Sequence, residues 1–278
     1  MRLSLRPSLR GGLLALLASA GLLSSSMAPV AVSDPVVRTY AYGSHARQTI
    51  TVYGDHGPPL VILHGGYWAD DPDWSRWARW FAGQGFRVYD ADYRLNSDAL
   101  WPAQRVDALS AVEWVARHTG SRPLLLGSSA GGQIATVAGG YGAGAWRVRG
   151  VVALSPVASP LRAWRDGGRS SASDRQRRLR GEARRLAGCA PSACPEQWLS
   201  MSTSSYVSGS DDAPLFLVHS ASDFVPPAHS RDLSSAARGA GLEDVTVRTE
   251  RGSAHGAALL SSRAVRGAVV KWLREHGG

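Results

Sequence analysis

The chain has 278 residues, 44% of them hydrophobic, and carries a formal net charge of +9. That apolar share is enough for a full core, and one α/β domain of this length is ordinary. The charge does not point to nucleic acid: Arg2, Arg6 and Arg10 hold three of the nine charges, and residues 162–185, with nine arginines against Asp166, Asp174 and Glu182, hold the other six. A nucleic-acid binder would spread basic residues along a face, interleaved with aromatics.

The first 33 residues read as an address. After the basic start, Gly11 to Leu23 is an uncharged apolar run of 13 residues, too short for a bilayer span of about 20 and suited to a signal-peptide h-region. Ala31 and Ser33 supply small residues at the −3 and −1 positions of a cut before Asp34. The expectation is a signal peptide over 1–33, a mature domain over 34–278, and a secreted, extracytoplasmic protein. The leader has no cysteine, which excludes a lipid anchor on Cys, and no later stretch is long and apolar enough to cross a membrane.

From there the pattern alternates. Val36–Tyr42 and Gln48–Tyr53 read as strands, and Leu60–Leu63 as a strand buried on both faces. Ser75–Gln84 spaces Trp77, Trp80 and Phe81 as a helix would, with Trp74 beside them; these tryptophans are expected to pack that helix on a sheet. Phe86–Tyr89 is the next strand. Residues 103–118, after Pro102, form an amphipathic helix with Val106, Leu109, Val112 and Val115 on one face. Leu124–Leu126 (strand), Ala130–Ala138 (helix) and Val148–Leu154 (strand) follow. The alternation breaks over 156–212, then resumes with Leu215–His219, Ala228–Ala240, Val245–Thr249 and a final helix, Ala258–Glu275. Strands alternating with helices imply a mostly parallel central sheet covered on both faces. The stretch 156–212 is expected to be an insertion over the strand ends. Its Arg-rich part, 162–185, should be a mobile, solvated arm, because like charges repel and Ser/Gly content disfavours a packed core.

Cys189 and Cys194 are the two cysteines. In an exported chain they should form a disulfide, worth only about 2 kcal/mol for so short a loop. Two thiolates without a nearby histidine do not complete a zinc shell, and no metal or cofactor is called for.

Gly127-Ser128-Ser129-Ala130-Gly131 is Gly-x-Ser-x-Gly set between a strand and a helix. A serine on such a turn is exposed for attack, and side chains at the flanking glycines would collide. The helix start offers the Ala130 N–H to an oxyanion. Serine needs a base, itself oriented by an acid. Asp223 and His255 follow downstream in the order Ser, Asp, His that a strand–turn–helix serine of this kind uses, each on a loop after a strand; His229 is the rival base but lies within a helix. The second oxyanion donor should come from His64-Gly65-Gly66-Tyr67-Trp68, where glycines let backbone approach a ligand.

These pieces, with Asp92-Tyr93-Arg94-Leu95 and Ala-His-Gly at 254–256, resemble the carboxylesterase branch of the α/β-hydrolases. That branch includes hormone-sensitive-lipase-like esterases, bacterial feruloyl-type esterases and kynurenine formamidase. The resemblance implies the α/β-hydrolase fold, the triad Ser129, Asp223 and His255, and oxyanion amides at Gly66, Tyr67 and Ala130. Gly65 and Trp68 would contact substrate, Trp68 by lining an acyl or aryl pocket. Asp92 and Arg94 match a motif that supports site loops. The implied reaction is hydrolysis of short to medium acyl or aryl esters, with a small-molecule ester as the partner. An arylformamidase-like amidase, suggested by Tyr67 in place of a third glycine, and a surface-binding protein with a vestigial site are the other readings; export argues against the first and the intact triad against the second.

Overall fold

The computed structural model describes residues 37–278, so the leader expected over 1–33 lies outside the described residues. Eight strands, β1 (Arg38–Ala41), β2 (Thr49–Tyr53), β3 (Pro59–Leu63), β4 (Arg87–Ala91), β5 (Leu124–Ser128), β6 (Val151–Leu154), β7 (Leu215–Ser220) and β8 (Val245–Glu250), form one sheet in the order β1-β2-β4-β3-β5-β6-β7-β8. β2 runs antiparallel to both its neighbours, β1 and β4, and the remaining neighbours pair parallel. The strand order reverses between β3 and β5, the switch at which open α/β sheets place ligands, outside the carboxyl ends of the strands.

Central strands are apolar on both faces because both are covered. Leu60, Ile62, Leu124, Leu126, Val152 and Leu154 turn to one side, against α1 (Ser75–Ala82) and α8 (Arg263–Gly277). Val61, Leu63, Leu125 and Ala153 turn to the other, against α2 (Ala103–Thr119), α3 (Ala130–Gly140) and α7 (Ala228–Gly239). This is the period-2 alternation of a strand read against two helical layers. Trp74 is buried in the first layer with Trp77 and Trp80 packed on it, as expected.

Four expectations change. Val148 is buried, but pairing in β6 begins only at Val151. The final helix is broken: Gly256–Ser261 is a 3₁₀ turn, and Ser262 caps α8 by accepting the Val265 N–H. In α2, Val106 is exposed and the buried face includes Gln104 and Asp107. The helix is rolled so that Asp107 accepts the guanidinium and backbone N–H of Arg94 and the amide of Gln48; a buried carboxylate has to be paired.

The largest correction concerns 162–185. It is not a solvated arm: α4 (Pro160–Asp166), α5 (Asp174–Ala187) and α6 (Pro195–Ser200) fold it into a helical cap. Ser173 and Gln176 form a reciprocal capping box that starts α5. Leu179, Ala183, Leu186 and Ala187 make a buried stripe continuous with the α2–α3 core, and the arginines point outward. Several find acids, Arg177 with Asp174, Arg185 with Glu182 and Arg178 with Asp70, so the repulsion expected between like charges is neutralised locally. Cys189 and Cys194 are disulfide-bonded just after α5 and tie it to α6, whose Trp198 donates to the Cys189 carbonyl. Among the described residues no helix is long and apolar enough to cross a membrane.

Leu186→Ala should cost about 2–4 kcal/mol in urea unfolding, the range for a cavity in a packed core. A neutral effect would return the segment to a solvated arm.

Candidate active site

Ser129 sits between β5 and α3 with φ 53° and ψ −112°, a conformation that costs a non-glycine residue energy and persists only under constraint. The constraint is visible. A Cβ on Gly131 would lie 2.2 Å from the carbonyl oxygens of Leu63 and His64, and one on Gly127 would lie 2.3 Å from the Gly131 carbonyl. The Ser129 N–H donates to Leu154 O at 2.8 Å, and its carbonyl accepts from Gln133 N–H at 3.0 Å and Val157 N–H at 3.2 Å. Ser129 itself is buried, with 6% of its surface left exposed.

The loop after β3 passes beside it: a Cβ on Gly65 would be 3.3 Å from Ser129 Cβ. Gly66 (φ 104°), Tyr67 (φ 61°) and Trp68 (φ 60°) are all left-handed. The Gly66 carbonyl closes the turn by accepting the N–H groups of Ala69 and Asp70. The amides of Gly66 and Tyr67 meet no acceptor among the described residues, and that of Ala130, at the first position of α3, has none within its helix. Free N–H groups on both sides of Ser129 are what an oxyanion requires.

His255 lies on the loop after β8. Its Nδ1 is 2.9 and 3.1 Å from the two oxygens of Asp223. A carboxylate can only accept, so Nδ1 carries the proton and Nε2 keeps a lone pair for base work. The Asp223 side chain is fully buried and otherwise satisfied, by the Val225 N–H at 3.1 Å and the Ser155 hydroxyl at 2.6 Å. Gly256, next to His255, is held against the serine: a Cβ there would be 2.5 Å from Ser128 Oγ and 4.0 Å from Ser129 Cβ. The structure thus joins His255 to Asp223 and brings the chain at Gly65 and Gly256 against Ser129, with Gly66, Tyr67 and Ala130 adjoining in the chain.

Trp68 is not part of this group. Its indole is fully buried, with Nε1–H donating to Gln133 Oε1 at 3.0 Å, while Gln133 donates to the Met201 carbonyl at 2.7 Å. It therefore anchors the loop from beneath and lines no acyl pocket. A buried indole N–H needs an acceptor, and the second layer of α3 supplies it. The aromatic ring beside the base is Phe224 instead, 4.3 Å from the His255 imidazole and 6.1 Å from Tyr67. His229 is buried in α7, accepting from the Ser159 N–H.

Two positioning serines escaped the sequence reading. Ser155 (φ 48°) donates to Asp223 and accepts from the Gly256 N–H at 3.0 Å. Ser128 accepts the Ala257 N–H at 3.1 Å. The one sequence signal for either was its place at the carboxyl end of a parallel strand.

Behind the oxyanion loop, His64 stacks on Tyr93, whose hydroxyl donates to the His64 carbonyl. His64 Nε2 lies 3.2 Å from Asp92, which also accepts the Tyr93 N–H. Asp92 thus braces the loop at His64, whereas Arg94 is spent on Asp107 of α2. His64, Asp71 and Asp92 bring one nitrogen and two carboxylates within 4.8 Å of one another, and Arg47, 3.3 Å from both acids, supplies positive charge there. Burial pushes the nearby Asp90 carboxyl up to about 7, and burial pulls His219, on β7, down to about 4.

A family model described as BD-FAE matches residues 53–237. Solved structures show the same fold. Esterase B from Lactobacillus Rhamnosis is 23% identical, with 87% of this chain and 85% of that one covered at a TM-score of 0.68. A truncated carbohydrate esterase from gut microbiota is 18% identical, covering 88% and 98% at 0.71. An acetyl ester-xyloside bifunctional hydrolase from Caldicellulosiruptor lactoaceticus is 18% identical, covering 87% and 97% at 0.67. No match was found among curated proteins.

Ser155→Ala should lower kcat about 10–100-fold with little change in KM, the cost of misplacing a catalytic group; an unchanged kcat would remove Ser155 from the site. The neutral, buried His219 predicts acid sensitivity. Unfolded histidine takes a proton near pH 6.5, the folded one only near 4, so this contribution is present above about 6.5 and lost as pH falls toward 4. Asp90 acts oppositely over about pH 4–7, so the diagnostic is the difference in urea stability between wild type and His219→Gln. It should shrink or reverse on acidification; a difference independent of pH would refute the assignment.

Proposed function

The chain belongs to the BD-FAE family of carboxylic ester hydrolases, and on that premise we propose that it cleaves short-acyl carboxylic esters through an acyl-enzyme on Ser129. The observation that carries the reading is the His255–Asp223 hydrogen bond, with Gly256 beside the histidine packed against a strained Ser129 and the amides of Gly66 and Tyr67 left without acceptors among the described residues. Ser129 Oγ attacks the ester carbonyl while His255 Nε2 takes its proton. The resulting oxyanion is met by the amides of Ala130 and of Gly66 or Tyr67. Collapse expels the alcohol, protonated by His255, and water then repeats the sequence on the acyl-enzyme. Asp223, fully buried and fixed by Ser155 and Val225, keeps the imidazole in the tautomer that leaves Nε2 free.

A short acyl group is favoured because the backbone at Gly65 and Gly256 crowds Ser129. Two structural relatives, a carbohydrate esterase and an acetyl ester-xyloside bifunctional hydrolase, support an acylated carbohydrate as the substrate. Export fits the leader read at 1–33 and the Cys189–Cys194 disulfide, a bond that persists in oxidising compartments.

Ser129→Ala should lower kcat by several orders of magnitude and leave the fold intact, since the triad acts as a unit, and a fluorophosphonate should label Ser129 alone. Labelling of Ser128, or undiminished turnover in the variant, would end this reading. 4-Nitrophenyl acetate should be hydrolysed far faster than N-formylkynurenine, because an anilide nitrogen needs better-placed protonation than an activated phenol. Comparable kcat/KM for the two would move the assignment to an amidase.

A further inference from the structure

Helix α5 lays two cations over the aromatic pair at the mouth of the cleft. The Arg178 guanidinium is 4.3 Å from the centre of the Tyr67 ring and that of Arg175 is 5.7 Å from the centre of Phe224. Phe224 in turn lies 4.3 Å from the His255 imidazole. Arg175 is therefore one aromatic ring away from the catalytic base, and Arg178, over Tyr67, is two. Such a stack holds a long, flexible side chain over one spot without neutralising it.

The acids nearby are already engaged. Asp70 pairs with Arg178 at 2.6 Å, Asp174 with Arg177 at 2.9 Å, and Asp223 with His255 and Ser155. Arg175 has no carboxylate partner among the described residues and stands exposed to solvent. A fixed, unpaired guanidinium beside a site of reaction recruits an anion from solution, and its planar fork suits a carboxylate.

The position also says which half of the substrate carries that carboxylate. His255 returns its proton to the leaving oxygen, so the groups packed around His255 flank the alcohol. We propose that this enzyme prefers esters whose alcohol half bears a carboxylate, with Arg175 as the specificity-determining contact and Arg178 as its neighbour. The inference rests on the ester-hydrolase reading and deepens it.

The test compares 3-acetoxybenzoate with 3-acetoxybenzamide, which share the acetyl group and differ in the charge on the leaving phenol. The wild-type chain should favour the carboxylate about tenfold in kcat/KM, through KM, and the preference should shrink in 0.5 M NaCl, as expected of an exposed charge contact. Arg175→Gln should bring the ratio to about one, Arg175→Glu should invert it, and Arg175→Lys should keep most of it. A wild-type ratio of one or less, or a ratio unmoved by Arg175→Gln, overturns the inference while the hydrolase stands. No turnover of either ester overturns both.

Discussion

Gly131 leaves no room for a side chain: the carbonyl oxygens of Leu63 and His64 occupy the space a Cβ would need. The first turn of α3 is thereby pressed onto the end of β3, two strands' worth of chain away in sequence but adjacent in the sheet. Everything at the cleft follows from that approach. It forces Ser129 into its strained turn and sets the start of α3 beside the loop that leaves β3. Free amides from two separate segments then border one point in space. The cost of the turn is met by the sheet, since Ser129 is tied to β6 through Leu154 and to the chain beyond it through Val157.

The remaining half of the site is assembled by small polar residues at strand ends. Ser128 ends β5, Ser155 follows β6, Asp223 follows β7 and His255 follows β8. Ser155 touches both Asp223 and the backbone next to His255, and Ser128 touches the next residue along. Four adjacent strand ends are thus joined into a single hydrogen-bonded patch. A buried carboxylate is tolerable there because its acceptors are filled.

The sheet, the strained turn at Ser129 and the meeting of Asp223 with His255 were legible in the sequence because each has a local signature. Alternating apolar runs mark strands, glycines mark the turn, and chain order marks the partners. What escaped reading depends on contacts between distant segments. Ser155 looks like any serine after a strand until Asp223 is placed above it. Trp68 was misread because its side chain turns inward to Gln133, which sequence spacing cannot show. The 162–185 segment was misread because arginine counts dominate its composition, whereas Leu179, Ala183 and Leu186 at helical spacing decide its fate. Val106 failed for a related reason: Asp107 had a partner in Arg94, and a paired buried charge outweighs one exposed valine.

Gln133 holds the oxyanion loop through Trp68 with its carbonyl and the cap through Met201 with its amide, and it is wholly buried. Lifting the cap would strip a buried amide of its acceptor, at about 1–3 kcal/mol for that bond alone, and would expose the Leu179–Leu186 stripe as well. The cap and the loop after β3 are therefore tied to α3 through one buried side chain. Selection among substrates falls to the side chains that fringe the cleft. Exposed residues on α5 can be exchanged without loosening the machinery beneath, so one catalytic frame can be retuned to new esters by surface substitution alone.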